Sequence, residues 1–130
     1  TLWHQLVEPM QESAKKSGIT CKIGVLPVAA VATLTQLDRL AFQSAIAFIH
    51  AGSGLGLLQW ENPDGEVLGR MRSHCQSHSG FLTVLEAPIE FKQQIDVWGY
   101  TGNALDLMRK IKQQFDPENI FSPHRFVGGI

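Results

Sequence analysis

The segment HAGSGLG, His50 to Gly56, sets three glycines beside a histidine. Residues of these types at this spacing serve three chemistries: backbone N–H groups around a phosphate, an imidazole within a metal site, or a tight turn. A dinucleotide loop of the form G-x-G-x-x-G needs a glycine at position 57, which is Leu57, and must lead from a strand into a helix. No Gly-Lys-Ser/Thr follows to make a Walker loop. A metal site takes three or more His, Cys or carboxylate ligands, and His50 has none at close spacing. The turn is the reading the residues favour.

The other reactive side chains are dispersed. His74 and His78 stand four apart, a spacing that puts both on one helix face, where they serve as a two-ligand clasp or as groups easing a helix dipole. Two ligands make a weak site, so no metal is expected. Cys21 falls in an apolar strand-like run and Cys75 on an apolar helical stripe, positions in which a thiol acts as a small hydrophobe. Ser53 lies between glycines but in no G-x-S-x-G elbow. Trp3, Trp60 and Trp98 sit in apolar segments that favour core filling over ligand stacking. No catalytic residue is expected in this chain.

The elements that position these residues follow from periodicity. Leu2, Trp3, Leu6, Val7 and Met10 repeat at helical spacing, with Gly18 as a stop. TCKIGVLP reads as a strand, and Val28, Val31, Leu34 and Leu37 as the apolar stripe of a following helix. AFQSAIAFIHAG and LGLLQW form a hairpin joined at Gly52–Gly54. NPDGE turns into a helix bearing Val67, Met71, Cys75 and His78, and FLTVLEAP is a fourth strand. This order predicts an α+β fold: a ferredoxin-like antiparallel sheet, βαββαβ, with its helices on one face. An N-terminal helix, a C-terminal helix over ALDLMRKIKQQF and an extended apolar tail complete it, as a single domain over 1–130.

Composition limits the partners. The chain has 130 residues and a net charge of -1, which offers nucleic acid or an anionic membrane no electrostatic attraction. The longest apolar run, Ala41 to Leu58, is broken by Gln43, Ser44, His50 and glycines, so no membrane insertion is expected. Two cysteines are too few for a disulfide framework, pointing to a reducing, cytoplasmic setting. Thr1 stands where a Met would begin a chain, and the expectation is a piece of a longer protein.

The tail carries the most specific pattern. LMRKIKQQFDPENIFSPHRFVGGI resembles the C-terminal signature of FAD-linked oxidases of the vanillyl-alcohol-oxidase type, M-R-x-I-K-x-x-F-D-P followed by I-L-N-P-G-R-F. KIGVLP, HAGSGLG, GFLTVLEAP and IDVWG fall in compatible order, so the resemblance spans nearly the whole chain. It implies a cap domain of a glycolate-type 2-hydroxy-acid dehydrogenase or oxidase, non-catalytic when isolated, whose cofactor is FAD held by the protein's own N-terminal FAD-binding domain. Further implied partners are the catalytic and iron–sulfur subunits of a glycolate oxidase complex, which would bring this cytoplasmic protein to the periphery of the inner membrane.

The resemblance also implies roles for residues. Ser122, Pro123 and Arg125 would face the FAD-binding domain. His50, Gly52 and Gly54 would face substrate, as remnants of the H-x-G-D-G-N-x-H strand of catalytic relatives. There Ser53, Leu55 and Leu57 replace the aspartate, asparagine and second histidine. Ser122 and His124 replace the asparagine and glycine of the tail signature, and a histidine resists the φ angles a glycine accepts. A different backbone path is therefore expected there, and Arg125 has an alternative role in an ion pair with Asp116 or Glu118. The alternative for the whole chain is a stand-alone ferredoxin-like module that binds a small metabolite or dimerises, with no redox role; self-association of the isolated chain is expected on either reading.

Overall fold

The structure, a computed structural model, describes residues 2, 4–5, 8, 18–40, 45–61 and 64–130. Of the expected opening helix, Leu2, His4, Gln5 and Glu8 are helical; its remaining positions, Trp3 included, lie outside the described residues. The chain divides into two compact units, Thr1–Gly99 and Tyr100–Ile130.

The first unit is the expected βαββαβ arrangement. Strand β1 (Ile19–Gly24) leads through a 3-10 turn (Pro27–Ala29) into α1 (Ala30–Leu40). Strands β2 (Ala45–Ile49) and β3 (Leu55–Trp60) form the hairpin, followed by α2 (Gly65–Ser77) and β4 (Phe81–Glu86). The sheet order is β2-β3-β1-β4 with every pair antiparallel, the ferredoxin-like topology.

Side-chain alternation assigns the faces. Ile19, Cys21 and Ile23 of β1, Leu58 and Trp60 of β3, and Leu82 and Val84 of β4 are buried against Leu37 of α1 and Leu68, Met71 and Cys75 of α2. Both cysteines are wholly buried here, and burial pushes their thiols up, to about 12 for Cys21 and about 11 for Cys75. The expected stripe on α1 is corrected. Val28 and Val31 are exposed at 91% and 77%, while Ala30, Thr33 and Leu37 face the core. Small residues let α1 approach closely, and the hydroxyl of Thr33 satisfies itself inside by donating to Ala29 O at 2.8 Å. Pro27 begins the 3-10 turn, so the α-helical period starts later than the sequence suggests.

Helix α2 starts where Asp64 accepts from Glu66 N–H at 2.9 Å, an N-cap matched to the helix dipole. After β4 the chain adds a short helix, α3 (Ile89–Gln94), and then runs along the outer edge of β4, where Val84 N–H donates to Val97 O at 2.8 Å.

The second unit contains α4 (Leu105–Phe115) and the tail. Leu105 and Met108 are half-buried, whereas Leu107, Ile111 and Phe115 are exposed. The tail, expected to run extended, is wound through turns: Asn119, Ser122 and His124 have φ of 52°, 47° and 62°, and a 3-10 turn (Val127–Gly129) ends it.

Candidate functional site

The hairpin end of the first unit holds His50, Gly52 and Gly54. His50 N–H donates to Leu55 O at 2.8 Å, closing the hairpin, and His50 O accepts from Ser53 N at 3.2 Å and Gly54 N at 2.8 Å. The imidazole folds back over the turn, its Nδ1 3.2 Å from Ser53 N and 3.1 Å from Ser53 Oγ. A ring that accepts an N–H at Nδ1 carries its proton on Nε2. Leu55 N donates to Ser53 Oγ at 3.3 Å.

Those bonds decide the phosphate question. An anion nest needs successive backbone N–H groups left free and converging, and here Ser53, Gly54 and Leu55 have already given theirs to the turn. Gly54 is buried, with φ 74°. It docks on the end of β1, where Val25 N–H donates to its carbonyl at 3.0 Å. Gly52 is exposed beside the His50 ring. Among the polar side-chain atoms of the hairpin end, His50 Nε2 has no bond among the described residues, and it stands on an exposed side chain.

His74 and His78 occupy the last turn and C-cap of α2, their rings 4.4 Å apart. His74 Nε2 lies 3.1 Å from Thr33 Oγ1. Because that hydroxyl donates to Ala29, it accepts from the ring, which places the His74 proton on Nε2. His78 Nδ1 lies 2.9 Å from His74 O and 3.2 Å from Ser77 Oγ. Burial lowers the His74 pKa, and the neighbouring His78 lowers it further. The His74 ring is thus tied to the α1–α2 packing, and the His78 ring to the end of its own helix. Among the described residues no three His, Cys, Asp or Glu side chains gather as a metal site.

In the second unit the tail is organised by Asp116, named above only as an alternative partner for Arg125. Its carboxylate is 7% exposed and accepts from Lys112 Nζ at 2.5 Å, Ile120 N at 2.9 Å and Phe121 N at 2.9 Å. The Lys112 ammonium also donates to Phe121 O at 2.6 Å. The hydrogen bond from Lys112 holds the carboxyl below its ordinary range; burial opposes this, and the two backbone N–H groups reinforce it. Lysine and aspartate one helical turn apart are the sequence signal for this lock.

The lock settles the ion pair expected of Arg125. Asp116 is engaged by Lys112, and among the described residues Arg125 makes no ion pair or hydrogen bond. Ser122, Pro123 and Arg125 are all exposed. His124 takes φ 62°, in the region a histidine resists, and its Nδ1 lies 3.1 Å from Gly129 O. Phe126 N–H, bonded to Ile130 O at 3.0 Å, closes the same loop.

The chain matches no family model, no curated protein and no solved structure. Its two groups of candidate residues stand in different units, the hairpin group in the first and the tail group in the second. Among the described residues no helix is long and apolar enough to cross a membrane.

Proposed function

We propose that this chain is the cap region of an FAD-binding subunit of a glycolate-type 2-hydroxy-acid dehydrogenase, resembling the E subunit of glycolate oxidase. The observation that carries the reading is the backbone of the tail. The two positions at which the signature has asparagine and glycine, Ser122 and His124, are positions with φ of 47° and 62°. Asparagine and glycine are the residues that enter this region most readily. The signature thus has a physical reason in this chain, where neither residue is kept.

The ferredoxin-like fold agrees with a cap, although that fold hosts many functions and adds little by itself. The fit to FAD is one of contact only. Ser53, Gly54 and Leu55 of the glycine-rich hairpin have spent their N–H groups internally, which supports leaving the pyrophosphate to the N-terminal domain. When bound there, the flavin supplies the electron transfer. Arg125 offers a guanidinium with paired donors to a carboxylate or phosphate of that domain. Ile120 and Phe121, exposed at 68% and 71%, offer apolar surface for the same domain. His50 Nε2–H offers one hydrogen bond and no base, so the isolated chain turns nothing over.

The test joins this chain in frame to whatever coding sequence precedes Thr1. The expected product is yellow, with the visible absorption bands of bound flavin, and replacing Arg125 by alanine weakens flavin retention. A colourless product overturns the reading. So does saturable binding of glycolate, lactate or an amino acid by the isolated chain in calorimetry, which would make it a stand-alone metabolite-binding module.

A further inference from the structure

The two edges of the sheet are treated differently. At the β4 edge a following segment engages outward backbone groups: Val84 N–H donates to Val97 O, and Leu82 O accepts from Arg72 Nε at 3.2 Å. Thr83 Oγ1 adds a bond to Trp98 O at 3.2 Å, fastening the covering segment. This is the covering by which sheet proteins suppress edge pairing.

Among the described residues the β2 edge has no such cover. His50 and Leu55 form a hydrogen-bonded pair, and antiparallel ladders alternate, so Phe48 and Ile46 direct their backbone groups to β3. Ala45, Ala47 and Ile49 therefore direct theirs outward, and among the described residues none of these outward groups is bonded. The strand AIAFI contains no proline and no charge, and its register with β3 runs without a bulge. Ile46, on the face away from α1 and α2, is 53% exposed. Among the described residues no proline, charge, bulge or covering segment guards this edge.

We infer that β2 pairs with β2 of a second copy of this chain, antiparallel about a two-fold axis at Ala47, to give one continuous sheet across a dimer. The strand complements itself. With Ala47 opposite Ala47 of the second copy, Ala45 falls opposite Ile49, and all the outward groups of both strands are satisfied as hydrogen-bonded pairs. Ile46 then stands beside Phe48 of the second copy in a closely spaced non-hydrogen-bonded pair, an apolar aromatic contact of the kind that stabilises sheets. The same contact closes. The outer edges of the joined sheet are both β4, already covered, so association stops at two copies rather than growing into a fibre.

Sedimentation of the full chain over a dilution series tests this, together with amide hydrogen exchange. The expected result is twice the chain mass at high concentration, returning to the single mass on dilution. The amides of Ala45, Ala47 and Ile49 are then protected only where the dimer is populated. Ile46→Lys puts a charge on an exposed edge position and abolishes the dimer while leaving the circular dichroism spectrum unchanged. A chain of single mass at every concentration overturns the proposal. A dimer in which those three amides stay unprotected overturns it equally, because the copies then meet elsewhere, and this readout does not depend on the variant folding.

Discussion

A β-carbon placed on Gly54 would stand 1.9 Å from the carbonyl oxygen of Val25, in a turn whose own carbonyl accepts the Val25 N–H at 3.0 Å. The hairpin and the end of β1 are pressed together at this point, and the φ of 74° at Gly54 adds a second reason for glycine. Gly54→Ala is expected to destabilise the first unit by roughly 3 kcal/mol, in the range of combined backbone strain and overpacking. Gly69, inside α2 with open space around its missing β-carbon, is the converse case. Gly69→Ala should stabilise by about 1 kcal/mol through helix propensity. Urea unfolding of the two variants beside the parent checks both signs.

Cys21 and Cys75 make a second expectation. A thiol held at about 12 or about 11 by burial is almost wholly protonated at neutral pH, and the thiolate is the reactive form. Neither cysteine should be alkylated by iodoacetamide in the folded chain, and both should be labelled once denaturant is added. Mass spectrometry after timed labelling reads this directly, and fast labelling of either in the native chain would contradict their placement in the core.

The core strands were legible because their burial is one-sided and their period short. LGLLQW coincides with β3, and Val67, Met71 and Cys75 mark α2 correctly. Helix α1 was misread on its inner face because alanine and threonine occupy it, and hydrophobicity alone ranks the exposed Val28 and Val31 above them. Helix α3 spans six residues, too short for a helical period to be distinguished from noise. The Asp116 lock depends on backbone N–H groups four and five residues ahead, a geometry set by the turn and not by residue type. At the hairpin the glycines were visible, yet whether their N–H groups were free for a ligand depended on where His50 folded.

His74 gives a pH dependence whose sign follows from its environment. Burial, then the charge of His78, depresses its pKa in the folded state below the ordinary value of 6.5. The unfolded chain then binds the proton more readily, so the contribution to stability is fully present above 6.5 and is lost as pH falls through the depressed value. His74→Gln retains an N–H donor toward Thr33 and removes the titration. Its stability should therefore vary less than the parent's as the pH is lowered through that window, measured by thermal unfolding at each pH.

The tail lock responds to acid in its own range. Asp116 is held below its ordinary 3.8, first by Lys112 and then by the Ile120 and Phe121 amides against the opposing effect of burial. Its contribution is present above 3.8 and lost as pH falls through the lowered value. The protection factors of the Ile120 and Phe121 amides, each referred to the intrinsic exchange rate at the same pH, should be high near neutrality and fall on acidification. Asp116→Ala, which removes both acceptors, should abolish that protection at every pH.

The left-handed positions of the tail provide the prediction on which the functional reading leans hardest. Ser122 has φ 47° without the amide side chain that makes this region comfortable for asparagine, at a cost of about 1 kcal/mol for an ordinary L-residue. Ser122→Asn should therefore stabilise the tail by roughly 0.5 kcal/mol, part of that cost being recovered. Ser122→Val should act in the opposite sense and by more than ~1 kcal/mol, because a β-branched side chain clashes at positive φ. The side chain is exposed, so neither substitution disturbs a packed neighbour, and the difference between them isolates the backbone. Denaturation of the isolated chain, followed by exchange at Phe121 and Phe126, separates the two outcomes. If valine is tolerated as well as asparagine, the backbone in solution does not need the conformation that explains the Asn and Gly of the signature, and the principal support for a cap function is removed.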